Sequence, residues 1–180
     1  MTDKDILEKV LALGASKACI LEKADFVLSD SFRDICEKNA CGAYNTCYMC
    51  PPDVGDIHEL MAKVKNYDKG ILFQYIGNIE DSFDIEGMGK VGNEHHALCV
   101  RVKRALRDEL PDALFLGSGG CNLCETCGKL SGVPCRHPED TMPSMESCGF
   151  DVYQTTKGTE LKYINGQNTV TFFGMVLINE

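Results

Sequence analysis

No apolar run in this chain approaches the ~20 residues that a membrane-spanning helix needs. The longest, Val170–Ile178, is interrupted by Thr171 and Gly174. The N-terminal run Met1-Thr-Asp-Lys-Asp-Ile-Leu-Glu is acidic and lacks the basic-then-apolar order of a secretory leader. A cytoplasmic location is therefore expected. Positive charge is also scarce, with 18 Lys and Arg against 27 Asp and Glu and a net charge of −9. Such a surface repels phosphate backbones and anionic lipid. That argues against nucleic acid and membranes as partners, and it favours a basic protein partner. No serine, histidine and aspartate constellation and no nucleotide-binding fingerprint is visible, so cofactor-free hydrolysis and NAD-dependent hydride transfer have little support.

What the chain has in excess is cysteine. Eleven cysteines in 180 residues is an odd number, which suits a disulfide framework badly, and cytosolic thiols stay reduced. Metal is the expected use. The apolar fraction of 44% is that of an ordinary globular protein, and no repeat or linker divides the chain, so a single cysteine-rich metal-binding domain over residues 1–180 is expected.

The densest signal is Cys121-Asn-Leu-Cys124-Glu-Thr-Cys127, with Cys135 following in Val133-Pro134-Cys135-Arg136-His137-Pro138. A four-iron cubane needs four thiolates around a compact core, and a C-x2-C-x2-C loop wraps three of its corners. Cys135 supplies the fourth, although seven residues separate it from Cys127, with proline before it rather than after, unlike a bacterial ferredoxin run. Structural zinc is the alternative, since four thiolates suit a tetrahedral ion, but zinc sites more often use two separated pairs. A second cysteine loop, Cys36, Cys41, Cys47 and Cys50 before Pro51-Pro52, offers a second set of thiolates. Cys19, Cys99 and Cys148 fit the core as small thiols. Arg136 and His137 directly follow a candidate ligand. Pairing of Arg136 with Glu139, Asp140 or Glu146 is slightly favoured over a role beside an anion, and His137 could relay a proton.

The periodicity predicts helices over 3–14, 29–36, 54–64, 91–109 and 143–150, and strands over 18–22, 70–76, 113–116 and 170–178. Residues 77–90, with Gly87 and Gly89 among acids, suggest a loop. His95 and His96 diverge by about 100° on a helix, so they fit capping or surface roles better than one shared metal. Gly117-Ser118-Gly119-Gly120 lacks the lysine of a phosphate loop, and its expected purpose is close approach of backbone N–H groups to sulfur. The expected architecture is α/β or α+β, a helix-flanked mixed sheet of about four or five strands carrying two cysteine-rich metal loops.

Several of these features occur together in one known family. Cys36, Cys41, Tyr44 and Cys50-Pro51-Pro52 in the first half, then Cys121, Cys124, Cys127, Pro134–Pro138, Pro143–Glu146 and Gly149-Phe150-Asp151 in the second, resemble the predicted metal-binding proteins grouped as domain of unknown function 2284. The resemblance covers nearly the whole chain and implies metal binding without a settled activity. Its pattern does not demand cysteine at position 47. It therefore implies seven ligand positions, Cys36, Cys41, Cys50, Cys121, Cys124, Cys127 and Cys135, one complete set of four and one of three, with Cys47 able to close the second. The expected cofactor is one or two iron–sulfur clusters of the [4Fe-4S] type, with zinc as the alternative. The leading expectation is electron transfer to or from a redox partner protein. A redox enzyme with an open-site cluster acting on a small-molecule substrate, and a zinc-stapled interaction module, are the alternatives.

Overall fold

A computed structural model describes residues 1–180. Helix α1 (Asp3–Ala12) starts from a reciprocal cap, in which the Thr2 hydroxyl accepts from the Asp5 amide and the Asp5 carboxylate accepts from the Thr2 amide. Strand β1 (Lys17–Glu22), helix α2 (Ser31–Glu37) and helix α3 (Ile57–Val64) follow, the last capped by Asp56. Then come strand β2 (Lys69–Asn78), the long helix α4 (Ile85–Leu106), strand β3 (Leu114–Leu116), helix α5 (Val152–Lys157) and strand β4 (Thr169–Ile178).

The four strands form one open sheet in the order β1-β2-β4-β3, and every ladder is antiparallel. The fold is thus α+β, and the expected mixed sheet is antiparallel throughout its ladders. The central strands β2 and β4 are covered on both faces, which explains their nearly continuous apolar sequence. Ile71, Phe73 and Val176 meet α1 and α4 through Ile6, Val10, Leu98 and Leu106. Leu72, Met175 and Leu177 point the other way, toward Val64 of α3, Met145, Phe150 and Val152. The alternation of side chains along a strand thus builds two apolar layers on one sheet.

Three local expectations are corrected. Helix α4 begins at Ile85, so Gly87 and Gly89 lie inside it rather than in a loop. The Asp84 carboxylate accepts the Gly87 amide at 2.7 Å, and this cap together with the apolar stripe of α4 outweighs the cost of two helical glycines. His95 is fully buried on that stripe, not a cap or a surface group. The helix expected at 143–150 is only a short turn at Glu146–Cys148, because the Met145 amide is taken by the Gly117 carbonyl across the fold. The helix of this region, α5, starts later, where the Asp151 carboxylate accepts from the Gln154 amide.

Helix α4 sits close to the sheet because β2 carries Gly77, where a Cβ would lie 2.3 Å from a Val91 methyl. Farther along, Arg104 and Arg107 clasp the buried carboxylate of Asp140, with Arg107 Nη1 at 3.0 Å from Oδ1 and Arg104 Nε at 3.0 Å from Oδ2. These contacts tie the chain after the second cysteine loop to the helix.

Two measurements check these contacts. Gly77→Ala is expected to lower stability by about 1–3 kcal/mol through overpacking. Gly89→Ala, exposed on α4 with open space around it, is expected to raise stability by about 1 kcal/mol; denaturant midpoints decide both. The second concerns acid. Hydrogen bonds from Arg104, with the charges of Arg104 and Arg107, hold the Asp140 carboxyl below its usual 3.8. A depressed pKa in the folded state stabilises above the unfolded value and loses that contribution as pH falls through the folded one. Wild type is expected to melt above Asp140→Asn at pH 6, with the gap closing below about pH 4.

Candidate metal centre

The chain leaves β3 at Leu116 and passes through Gly117–Gly120 into the second cysteine loop. Cys121, Cys124, Cys127 and Cys135 line one small cavity, together with Arg136 and His137. A turn at Gly128–Ser131 doubles the chain back, and the Val133 amide donates to the Gly128 carbonyl at 3.0 Å. A Cβ on Gly128 would stand 2.8 Å from the Pro134 carbonyl oxygen and 2.9 Å from that of Val133. Only glycine permits this closure, which brings Cys135 back beside Cys127 despite the unusual gap in sequence. Arg136 does not pair with Glu139, Asp140 or Glu146. Its Nη1 donates to the Thr126 carbonyl at 3.1 Å and so bridges the two ends of the loop, while Asp140 is committed to α4.

The first loop follows α2. Cys36 lies in the last turn of that helix, and Cys41 and Cys50 sit beyond it. These three thiols open onto a separate cavity of about 380 Å³. Phe32, Tyr44, Tyr163 and Phe172 contribute aromatic surface to it, and Ser118 and Glu146 contribute polar groups. Cys47 is buried behind them. Its sulfur receives hydrogen bonds from the Cys50 thiol and from the backbone amides of Cys121, Met49 and Cys50. No three Cys, His, Asp or Glu side chains in the structure close on a point suited to a single metal ion.

The two loops meet. Tyr48 Oη donates to the Val133 carbonyl at 2.7 Å, and Lys129 pairs with Asp53. Gly120 lies against the first loop, where a Cβ would come within 3.1 Å of Ala43 Cβ and 3.7 Å of Cys50 Sγ. The glycine lead-in therefore serves close approach, as its composition suggested, but the sulfurs that approach Gly120 from across the fold belong to the other loop.

Thiol protonation follows these surroundings. The Cys50 hydrogen bond and then the backbone amides hold Cys47 well below the ordinary thiol range, while the same shared hydrogen bond holds Cys50 above it. Burial raises Cys36 and Cys121. Cys19, Cys99 and Cys148 are buried in the core as expected, with burial pushing them to about 11, 12 and 11. Inert, protonated thiols are what such surroundings produce.

Some cavity residues had no functional signal in the sequence. Glu146 lies in the Pro143–Glu146 run that matches the family pattern, yet only the fold carries its carboxyl to the cavity, where burial raises its pKa. Ser118 faces the same cavity, its Oγ 3.1 Å from His95 Nδ1. His95 is stacked on Phe172 at 5.8 Å, and burial lowers its pKa to about 3, so the ring is neutral. A serine and a histidine 23 residues apart form no recognisable motif, and only the packing of α4 on the sheet unites them.

A family model described as predicted metal-binding protein (DUF2284) matches residues 19–178. No curated protein and no solved structure matches the chain. No helix is long and apolar enough to cross a membrane. The match takes in both cysteine loops, all of the sheet but the first two residues of β1, and four of the five helices, and on that extent the chain belongs to the DUF2284 family of predicted metal-binding proteins.

Proposed function

We propose that the protein is an iron–sulfur protein of the [4Fe-4S] type that exchanges electrons with a basic redox partner in the cytoplasm. The observation that carries this reading is the single small cavity lined by Cys121, Cys124, Cys127 and Cys135. The donor set fits. It is all thiolate, the ligand type such clusters take, and the Gly128 closure and the Arg136 bridge hold its two ends together. A zinc ion would need four sulfurs each about 2.3 Å from one point. Three cysteines packed at three-residue spacing with a fourth on the same cavity suit a cluster better than zinc, whose sites more often use two separated pairs. The cluster, when bound, supplies one-electron transfer, and the protein tunes its potential through burial and hydrogen bonds. The Leu123 amide donates to the Cys121 sulfur, and the guanidinium of Arg136 lines the second-loop cavity.

A second reading, a redox enzyme, is favoured by one observation. Cys36, Cys41 and Cys50 open onto a cavity large enough for a small molecule, whereas the second-loop cavity is not. Cys47 is turned toward backbone amides and is not part of that wall. Three thiolates would hold a cluster there and leave one position toward the cavity.

Protein purified without oxygen is expected to be brown and to absorb near ~400 nm; colourless protein carrying stoichiometric zinc would overturn the proposal. Cys47→Ser is expected to keep its full iron content, and a loss of about four iron per chain would instead make Cys47 a ligand. Gly128→Ala is expected to fold and to lose the second-loop iron, about half the total if each loop holds a cluster of equal size. Iron and sulfide counting on the purified variants reads both outcomes.

A further inference from the structure

The 380 Å³ cavity has a chemical character that metal binding does not require. Its volume lies within the range of small-molecule sites, about 300–1,000 Å³. Most of its lining is apolar, and Phe32, Tyr44, Tyr163 and Phe172 give it flat aromatic surfaces. No lysine, arginine or histidine lines it. Its ionisable side chains are all acids or weak acids: Glu146, three thiols and two tyrosines. An anionic ligand would lose its hydration there and meet no cationic side chain in return. The half-buried Glu146 carboxyl accepts from its own backbone amide and has no charged side-chain partner. A carboxylate has room for several donors, and a ligand in this cavity is positioned to supply one to Glu146.

We propose that this cavity binds a flat, non-anionic, nitrogen-bearing organic molecule that stacks on the aromatic lining and directs an N–H donor to Glu146. The contact with the Cys36, Cys41 and Cys50 wall rests on the redox-enzyme reading above, whereas the ligand class rests on Glu146 and the aromatic surface alone. Ser118, held by His95, offers a hydroxyl to a second polar atom of the same ligand.

Three probes of one shape test the class by calorimetry on the full chain purified without oxygen: benzamide, benzamidine and benzoate. Benzamide and benzamidine are expected to bind, and benzoate at least about tenfold more weakly. Glu146→Ala is expected to weaken both binders by about tenfold or more, while Glu146→Gln, which keeps an acceptor, retains benzamide. Tyr163→Ala, at a half-exposed position far in sequence from the cysteines, is expected to weaken all binding without changing iron content. Binding of benzoate as tight as that of benzamide overturns the proposal. So does an unchanged affinity in Glu146→Ala, or no binding of any probe to protein of full iron content. Iron is counted on each sample. Probe binding to protein that is iron-free as purified without oxygen would leave the cavity assignment standing, while that lack of iron would sink the redox reading.

Discussion

Two hydrogen bonds at the end of β3 organise everything around the metal centre. The Gly117 amide donates to the Pro143 carbonyl at 2.9 Å, and the Met145 amide donates back to the Gly117 carbonyl at 2.9 Å. Buried backbone groups must find partners, and these pairs satisfy groups on two segments 26 residues or more apart. The second cysteine loop is the excursion between them. Because both its ends are pinned to the same place on the sheet, Cys121 and Cys135 return to one cavity. The same pairing carries Glu146 to the wall of the larger cavity and keeps residues 143–150 from winding into a regular helix.

A second set of ties fastens α2 and the first loop to that platform. Ser29 donates to the Gly149 carbonyl and Asp151 to the Val27 carbonyl, each at 2.8 Å. Arg33 Nη1 donates to the Gly55 carbonyl at 2.8 Å and Nη2 reaches the Ser147 carbonyl at 3.4 Å. One side chain on α2 thus holds the exit of the first loop and the turn that bears Glu146. The cysteines of the first loop are therefore positioned by polar clamps rather than by a deep apolar core. The sheet behind them supplies the rigidity, through side chains packed on both of its faces.

The two loops differ in what surrounds their sulfurs. In the second, the thiols enclose a space with little room for anything else, and Arg136 closes it. In the first, the wall of thiols faces an apolar cavity with an acid opposite no base. The two cysteine-lined spaces are separated in this way within one small fold, and Cys47, accepting the Cys121 amide, lies at their junction.

The cysteine pattern was written in local spacing. Cys121, Cys124 and Cys127 stand three residues apart whatever the fold does around them, and apolar periodicity was enough for β1, β2, β4 and most of α4. Locally ambiguous stretches were decided by distant partners. Gly87 and Gly89 became helical through the Asp84 cap and the packing of α4. Residues 143–150 lost their helix to Gly117, and His95 went inward because Phe73 and Phe172 cover it. The sequence by itself determined that the chain carries cysteine-rich loops on a mixture of helices and strands, since residue type and short spacing are properties of the chain. Only the tertiary structure decided that Cys135 closes on Cys121, that Cys36, Cys41 and Cys50 face a cavity, and that Glu146 and Ser118 share it. Those relations depend on backbone hydrogen bonds and close contacts between segments far apart in the chain, which no local pattern encodes.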